Sequence, residues 1–383
     1  MHLPRQQRGI INTFGVFQTY YEVHILSSEP ATSIAWIGSI ESFFLMFGGV
    51  VTGPLFDAGY FYFLVPFGTF MVVFGYMMTS LASQYYQLLL AQGVCVGIGT
   101  GCMFVPAVAL MPQYFEKRRA LANGIAATGS SIGGVIYPVM FYKLQQEVGF
   151  AWATRALAFV CLGTCSISIA VMRVRFKPKE RRALLQLSAF KEAHYSLYAV
   201  AMFLGMLGFY NFLIFVQPWA IGKGIVNDNL GFYLLPILNA ASTFGRITPN
   251  FLADYLGPLN MLTPAAGVTA LLAFCWIAVN STASIIVLAF LYGFFSGGFV
   301  SLPPVVMAVI TNDMRSFGTR LGMFFAICSV ALLIGTPIGG AILNDTNSYL
   351  GLQLFSGACL AACAVLMLTI RIMRSGPRFI YKT

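Results

Sequence analysis

The sequence predicts an all-α polytopic membrane protein of twelve transmembrane helices in two six-helix halves, and three observations lead to that class. Apolar residues make up 58% of the 383 residues and charged ones only 9%, with a mean hydropathy of +0.79. A soluble domain carries about 25% charged residues, so this chain has too little polar surface to face water. The sequence also repeats itself without a gap. Asp57 and Asp254, Leu55 and Leu252, Gly48 and Gly245, Gly101 and Gly298, Pro106 and Pro303, and Arg118 and Arg315 all lie 197 residues apart. A parallel repeat of six-helix halves is how one class of transporters is built. Finally, 18 of the 22 Lys and Arg fall on one face once the helices are placed. By the positive-inside rule that face, with both termini, is cytoplasmic.

Twelve spans of about 20 residues use about 240 residues, which leaves short loops and no room for a sizeable soluble domain. Helix one is read from Gly9 to Leu26, where Asn12, Gln18, Glu22 and His24 interrupt a short apolar run. It is expected either to be truncated or to have lost its natural start. Helices two to six follow at Ser33 to Gly53, Tyr60 to Leu81, Tyr86 to Met111, Ala120 to Leu144 and Trp152 to Val171. The dense charge run from Arg173 to Arg182 then separates the halves. The second half repeats the plan at His194 to Trp219, Leu230 to Phe251, Leu259 to Val279, Ser284 to Ile310, Arg320 to Leu343 and Tyr349 to Met373. The division is therefore an N-terminal half over 1–172, a cytoplasmic linker over 173–193 and a C-terminal half over 194–383.

Net charge is +10, but its placement beside membrane spans accounts for it through anionic lipid and excludes a nucleic-acid partner. The eight cysteines show no metal-ligand spacing, the glycines at 93, 97 and 101 lack the Lys-Ser/Thr of a phosphate loop, and no Ser/His/Asp grouping appears. No cofactor, no metal and no enzymatic activity are expected. Small residues four apart in a span instead let helices approach closely in lipid, and Pro106 and Pro303 are expected to kink the same helix in each half.

Ionisable and polar groups inside apolar spans are costly and mark function. Arg246 stands in helix eight where the first half has Gly49, a lone cation able to anchor an anionic group. Asn12, Tyr210, Asn211 and Asn239 are the further candidates for lining a substrate site. Glu41, in an apolar stretch of helix two, is the proton-coupling candidate, the alternative being a carboxyl in water near the outer interface. The two Asp turns suit a latch. Each carboxylate can accept backbone N–H groups at the start of a neighbouring helix and pair with a basic residue, Arg118 or Arg119 for Asp57 and Arg315 for Asp254.

The segments G-I-I-N-T-F-G-V-F-Q-T-Y-Y-E (Gly9 to Glu22), Y-F-E-K-R-R-A-L-A-N-G-I-A (Tyr114 to Ala126), F-G-R-I-T-P-N-F-L-A-D-Y-L-G (Phe244 to Gly257) and S-F-G-T-R-L-G-M (Ser316 to Met323) together resemble the major facilitator superfamily. The similarity is to its monocarboxylate-transporter-like branch, in the fungal form. That resemblance implies a central cavity that opens alternately to each face. It also implies departures: proton-coupled animal members carry a Lys at the position of Asn12 and an Asp at that of Ser242, and only the Arg is kept, as Arg246. The first Asp turn has Ala58 where a basic residue is usual. The expectation is a secondary active transporter of a small organic anion, a monocarboxylate or an aromatic secondary metabolite, in the plasma membrane, with protons as the candidate coupling ion. A non-transporting sensor on the same fold, or an inactive truncated transporter, is the alternative.

Overall fold

The computed structural model describes residues 14–18, 20–115, 118–174, 185–311 and 317–375, without the side chains of residues 31, 32, 57, 112 and 113; no strand occurs among them. Asn12, Arg315 and the Asp57 side chain lie outside the described part, as do residues 175–184 of the linker. A π-helical turn, Tyr21–Ile25, precedes α1 (Ala31–Asp57) and α2 (Phe61–Thr79). Next, α3 (Tyr85–Leu88) passes through a π-helical stretch, Leu89–Val96, into α4 (Gly97–Tyr114). Then come α5 (Arg119–Val171), α6 (Ala193–Gly222), α7 (Asp228–Leu256), α8 (Pro258–Cys275), α9 (Thr282–Ser301), α10 (Pro303–Ile310), α11 (Phe317–Thr346) and α12 (Tyr349–Ser375).

Nine helical stretches among the described residues are long and apolar enough to cross a membrane. The longest, α5, is two helices merged across a kink at Gly149, whose φ of 79° only glycine adopts readily. With Asp228, Arg246 and Asp254 in it, α7 is a long helix outside that set. In lipid every backbone group must be satisfied within the chain, and continuous helices achieve this. At the ends side chains take over: Asn227 Oδ1 accepts from the Leu230 N–H at 2.9 Å at the start of α7, and Ser281 and Ser284 cap α9 reciprocally. The two repeat-related prolines behave differently. Pro106 sits inside an unbroken α4, whereas Pro303 and Pro304 together remove two backbone donors between α9 and α10, and Leu302, with helical φ and ψ of −74° and −26°, carries the chain through.

The helices cluster into two compact units. The first comprises Met1–Tyr114, Gly129–Gln186 and Arg315–Leu333. Its core is aromatic: Phe17 lies 4.2 Å from Phe141, stacks on Tyr76 at 6.2 Å, and meets Phe150 edge-on at 6.2 Å between ring centroids. The second comprises Phe115–Thr128, Leu187–Met314 and Ile334–Thr383. There Phe212 stacks on Tyr292 at 4.1 Å, and Trp276 meets both Phe212 and Trp219 edge-on.

The sequence repeat reappears as the same helix crossing inside each unit. In the first, a Cβ on Gly48 would stand 3.0 Å from Gly101 Cα; in the second, one on Gly298 would stand 3.5 Å from Gly245 O. These are repeat-related pairs, and their glycines permit the close helix approach. Each unit also takes in one short helical segment from the other half of the sequence. Residues 119–128 pack on α7, and residues 317–333 pack on α1, where a Cβ on Gly53 would lie 3.2 Å from Gly318 O.

Candidate functional site

Arg246 sits on the buried face of α7 and is 5% exposed. A buried guanidinium must have its N–H groups satisfied. Nε donates to Ser242 Oγ, one turn back, at 3.2 Å, and a terminal nitrogen donates to the Ala127 carbonyl at 2.7 Å. The two bonds fix the plane of the group. The chain around it is tied as well: Asn250 Nδ2 donates to the Arg246 carbonyl at 2.8 Å and to Ser301 Oγ at 2.6 Å, and Asn123 Nδ2 donates to the Ser301 carbonyl at 2.5 Å. Gly124 permits this contact, since a Cβ there would run into Arg246 O and the Asn250 side chain. The site is therefore a cation held between α7, α9 and the first turns of α5.

Asp254 closes the end of the same arrangement. Its two carboxylate oxygens accept from the backbone N–H groups of Ala120 and Leu121, each at 3.0 Å. These are unsatisfied donors in the first turn of α5, where a negative charge also meets the positive end of the helix dipole. Arg119 Nε donates to the Phe115 carbonyl at 3.2 Å, and Arg118 is exposed.

The other expected lining residues divide. Asn239 is buried on α7, donating to the Leu235 carbonyl at 3.1 Å, about two turns before Arg246. Asn211 is buried in α6 against α11, where a Cβ on Gly339 would come within 2.7 Å of its Oδ1, so it sits at a tight helix contact. Neighbouring Tyr210 is half-buried and meets Phe209 edge-on at 5.0 Å.

Glu41 lies in the other unit and is 0% exposed, which removes the alternative of a carboxyl in interfacial water. It belongs with Gln92 and Tyr21, both fully buried; the Tyr21 hydroxyl donates to Gln92 Oε1. Sequence reasoning passed over both partners, because a Gln and a Tyr 71 residues apart give no sign of meeting. It read Arg320 as the first residue of a span. Arg320 is inside α11, 5% exposed, its Nε donating to Gln186 Oε1 at 3.2 Å. The only cue was its position three residues into a run that turns apolar at Leu321. Among the described residues no group of three His, Cys, Asp or Glu could hold a metal ion.

The family model described as Major Facilitator Superfamily matches residues 10–315. The chain belongs to that superfamily. It is 44% identical over 351 residues, 91% of this chain and 79% of the relative, to the MFS-type transporter dbaD of Emericella nidulans. It is 43% identical over 359 residues, 94% of this chain and 73% of the relative, to the aspyridones efflux protein apdF of the same fungus. Among solved structures it is similar to the fucose:proton symporter FucP of E. coli, with a TM-score of 0.74 and 13% identity over 95% of this chain and 96% of that one. At that identity the likeness shows the fold. As a superfamily member the chain is a multi-pass membrane transporter of small molecules and not an enzyme. The features of the α7 site then acquire a setting: a major facilitator protein with a buried guanidinium, Arg246, in one unit and a buried carboxyl, Glu41, in the other.

Proposed function

We propose that this transporter exports a small organic anion, a monocarboxylate or an acidic aromatic secondary metabolite, across the plasma membrane by alternating access. The observation that carries the anion assignment is Arg246. A guanidinium held in one plane by Ser242 and Ala127, in low-dielectric surroundings, favours a negative partner far more strongly than it would in water. Asn239, Tyr210, Asn211 and Asn12 complete the proposed lining. Similarity to a relative named as an aspyridones efflux protein supports outward transport of a secondary metabolite. Glu41 is the proposed proton-coupling group, and Asp254, with Arg118, Arg119, Asp57 and Arg315, the proposed latch: releasing the Ala120 and Leu121 N–H groups frees the first turns of α5. In this reading the functional halves are 1–172 and 194–383, joined by the cytoplasmic linker 173–193.

The test uses proteoliposomes of the full chain with labelled lactate, benzoate or aspyridones as probes. One or more should be carried by the wild type, and Arg246→Ala should reduce transport at least about tenfold, with Arg246→Lys failing to restore it because an ammonium cannot reproduce the planar fork. Transport of the probes at wild-type rates by normally inserted Arg246→Ala protein would refute the anion site. No movement of any probe by the wild type would refute the substrate class.

A further inference from the structure

The surroundings of Glu41 contain more than one unsatisfied group. Both Glu41 carboxylate oxygens and Gln92 Nε2 are buried without a hydrogen-bond partner among the described residues, and the Gln92 amide lies beside the carboxyl, since Gly93, next in sequence to Gln92, packs against Ile37 and Ile40 of the helix that carries Glu41. Orphaned buried polar atoms are uncommon and call for a cause. Here three of them, from two adjacent side chains, occur in one place. Gln92 Oε1 is already occupied by the Tyr21 hydroxyl, so the amide turns its NH₂ donors toward an acceptor.

The helices bring these groups together by two devices. Gly97 lets α4 approach α1 closely, since a Cβ on it would lie 3.1 Å from Glu41 Cα. Tyr21 and Gln92 both lie in π-helical turns, Tyr21–Ile25 and Leu89–Val96. A π turn inserts an extra residue and rotates the side chains of its turn, which is why such turns gather at functional sites.

We propose that Tyr21, Gln92 and Glu41 form one buried hydrogen-bonded chain that reverses its donor–acceptor direction when Glu41 gains or loses its proton. The inference deepens the proton-coupling reading of Glu41 and rests on it. With Glu41 ionised, the Tyr21 O–H donates to Gln92 Oε1 and the Gln92 NH₂ donates to the carboxylate. When a hydronium ion from the aqueous phase delivers a proton, its O–H bond breaks, a Glu41 O–H bond forms and a water molecule is left. The Gln92 amide then turns over, its Oε1 accepting from Glu41 and its Nε2 donating to Tyr21 Oη. Deprotonation to water on the opposite side restores the first arrangement, with no change in electron count. Tyr21 and Gln92 are positioning residues in this scheme.

The other titratable groups near Glu41 leave the scheme intact. On α2, Tyr76 lies within electrostatic reach of the carboxyl, with Tyr137 and Cys161 of α5 beyond it. Residues 89–111 carry no charged side chain, only the thiols of Cys95 and Cys102. The turn Tyr21–Ile25 also bears Glu22, bonded by Gln18, and the exposed His24. On α11, whose Gly322 packs near Gly49 of α1, Arg320 is engaged with Gln186.

The experiment is an infrared pH titration of the full chain in lipid nanodiscs, following the carbonyl band of a protonated carboxyl. Glu41→Gln should remove the band. Tyr21→Phe, which keeps the ring against Phe17, and Gln92→Leu should each raise its titration midpoint by about one pH unit or more, because each weakens donation to the ionised form. The double variant should move it no further than Gln92→Leu alone, since Tyr21 acts only through the amide. Additive shifts, or a Tyr21→Phe midpoint equal to that of the wild type, would overturn the chain while leaving Glu41 a protonation site. A band unaffected by Glu41→Gln would instead remove the proton-coupling reading itself.

Discussion

Replacing Asp254 by Ala should release the start of α5 from the unit that holds it. The carboxylate makes two bonds of 3.0 Å to the N–H groups of Ala120 and Leu121. Hydrogen bonds to a charged group contribute about 1.5–3 kcal/mol each, and a helix cap about 0.5–2 kcal/mol. Asp254 is only half-buried, so water recovers part of the loss, and a net cost of about 2–4 kcal/mol is expected. That corresponds to roughly 30-fold to 1,000-fold easier local opening. Hydrogen exchange of the full chain in nanodiscs, resolved to the Ala120 and Leu121 amides, measures it directly. Exchange there should accelerate by that factor, while the segment stays attached further along through Asn123 and the Ser301 carbonyl. Asp254→Asn keeps one acceptor oxygen and should give an intermediate rate. Unchanged exchange at both amides in Asp254→Ala would show that the carboxylate does not hold the helix start, and the latch would fall with it.

Two other substitutions probe the same physical reasoning. Gly124→Leu forces a side chain into the space of Arg246 O and Asn250; it should destabilise the protein by about 1–3 kcal/mol, read as a lower midpoint of thermal unfolding in detergent, with Gly163→Leu, where nothing lies within 4 Å of the added Cβ, as the neutral control. Glu41→Gln imitates the neutral acid at every pH, so its transport rate should stay at the acid-side value of the wild-type profile, and a pH profile identical to the wild type's would exclude Glu41 as the coupling group.

Much of the fold was legible before any coordinates, for reasons that can be assigned to particular residues. A span reads as a span because lipid tolerates few charges, and the 197-residue repeat needs only counting. Gly48 and Gly245 were legible only as repeat-related positions, whereas Gly101 was legible as a packing glycine, and the structure pairs 48 with 101 and 245 with 298. Arg246 and Glu41 stood out because each is an ionisable group in apolar surroundings. Their partners did not stand out. Ser242 is one turn from Arg246, but Ala127 is 119 residues away and contributes a carbonyl, which every residue has.

What the sequence alone determined is the class of the molecule: helices long and apolar enough for a bilayer, arranged as a duplicated set, with a few charges whose burial demands a role. What only the tertiary structure decided is which of those charges is already engaged and by what. Asp254 meets backbone donors 133 and 134 residues away, Arg320 turns inward to Gln186, and the Tyr21 hydroxyl donates to Gln92 Oε1 across 71 residues. Hydrophobicity is a property of composition and survives any rearrangement of neighbours. Hydrogen bonding depends on distance and direction to within a few tenths of an ångström, and helix packing alone sets those.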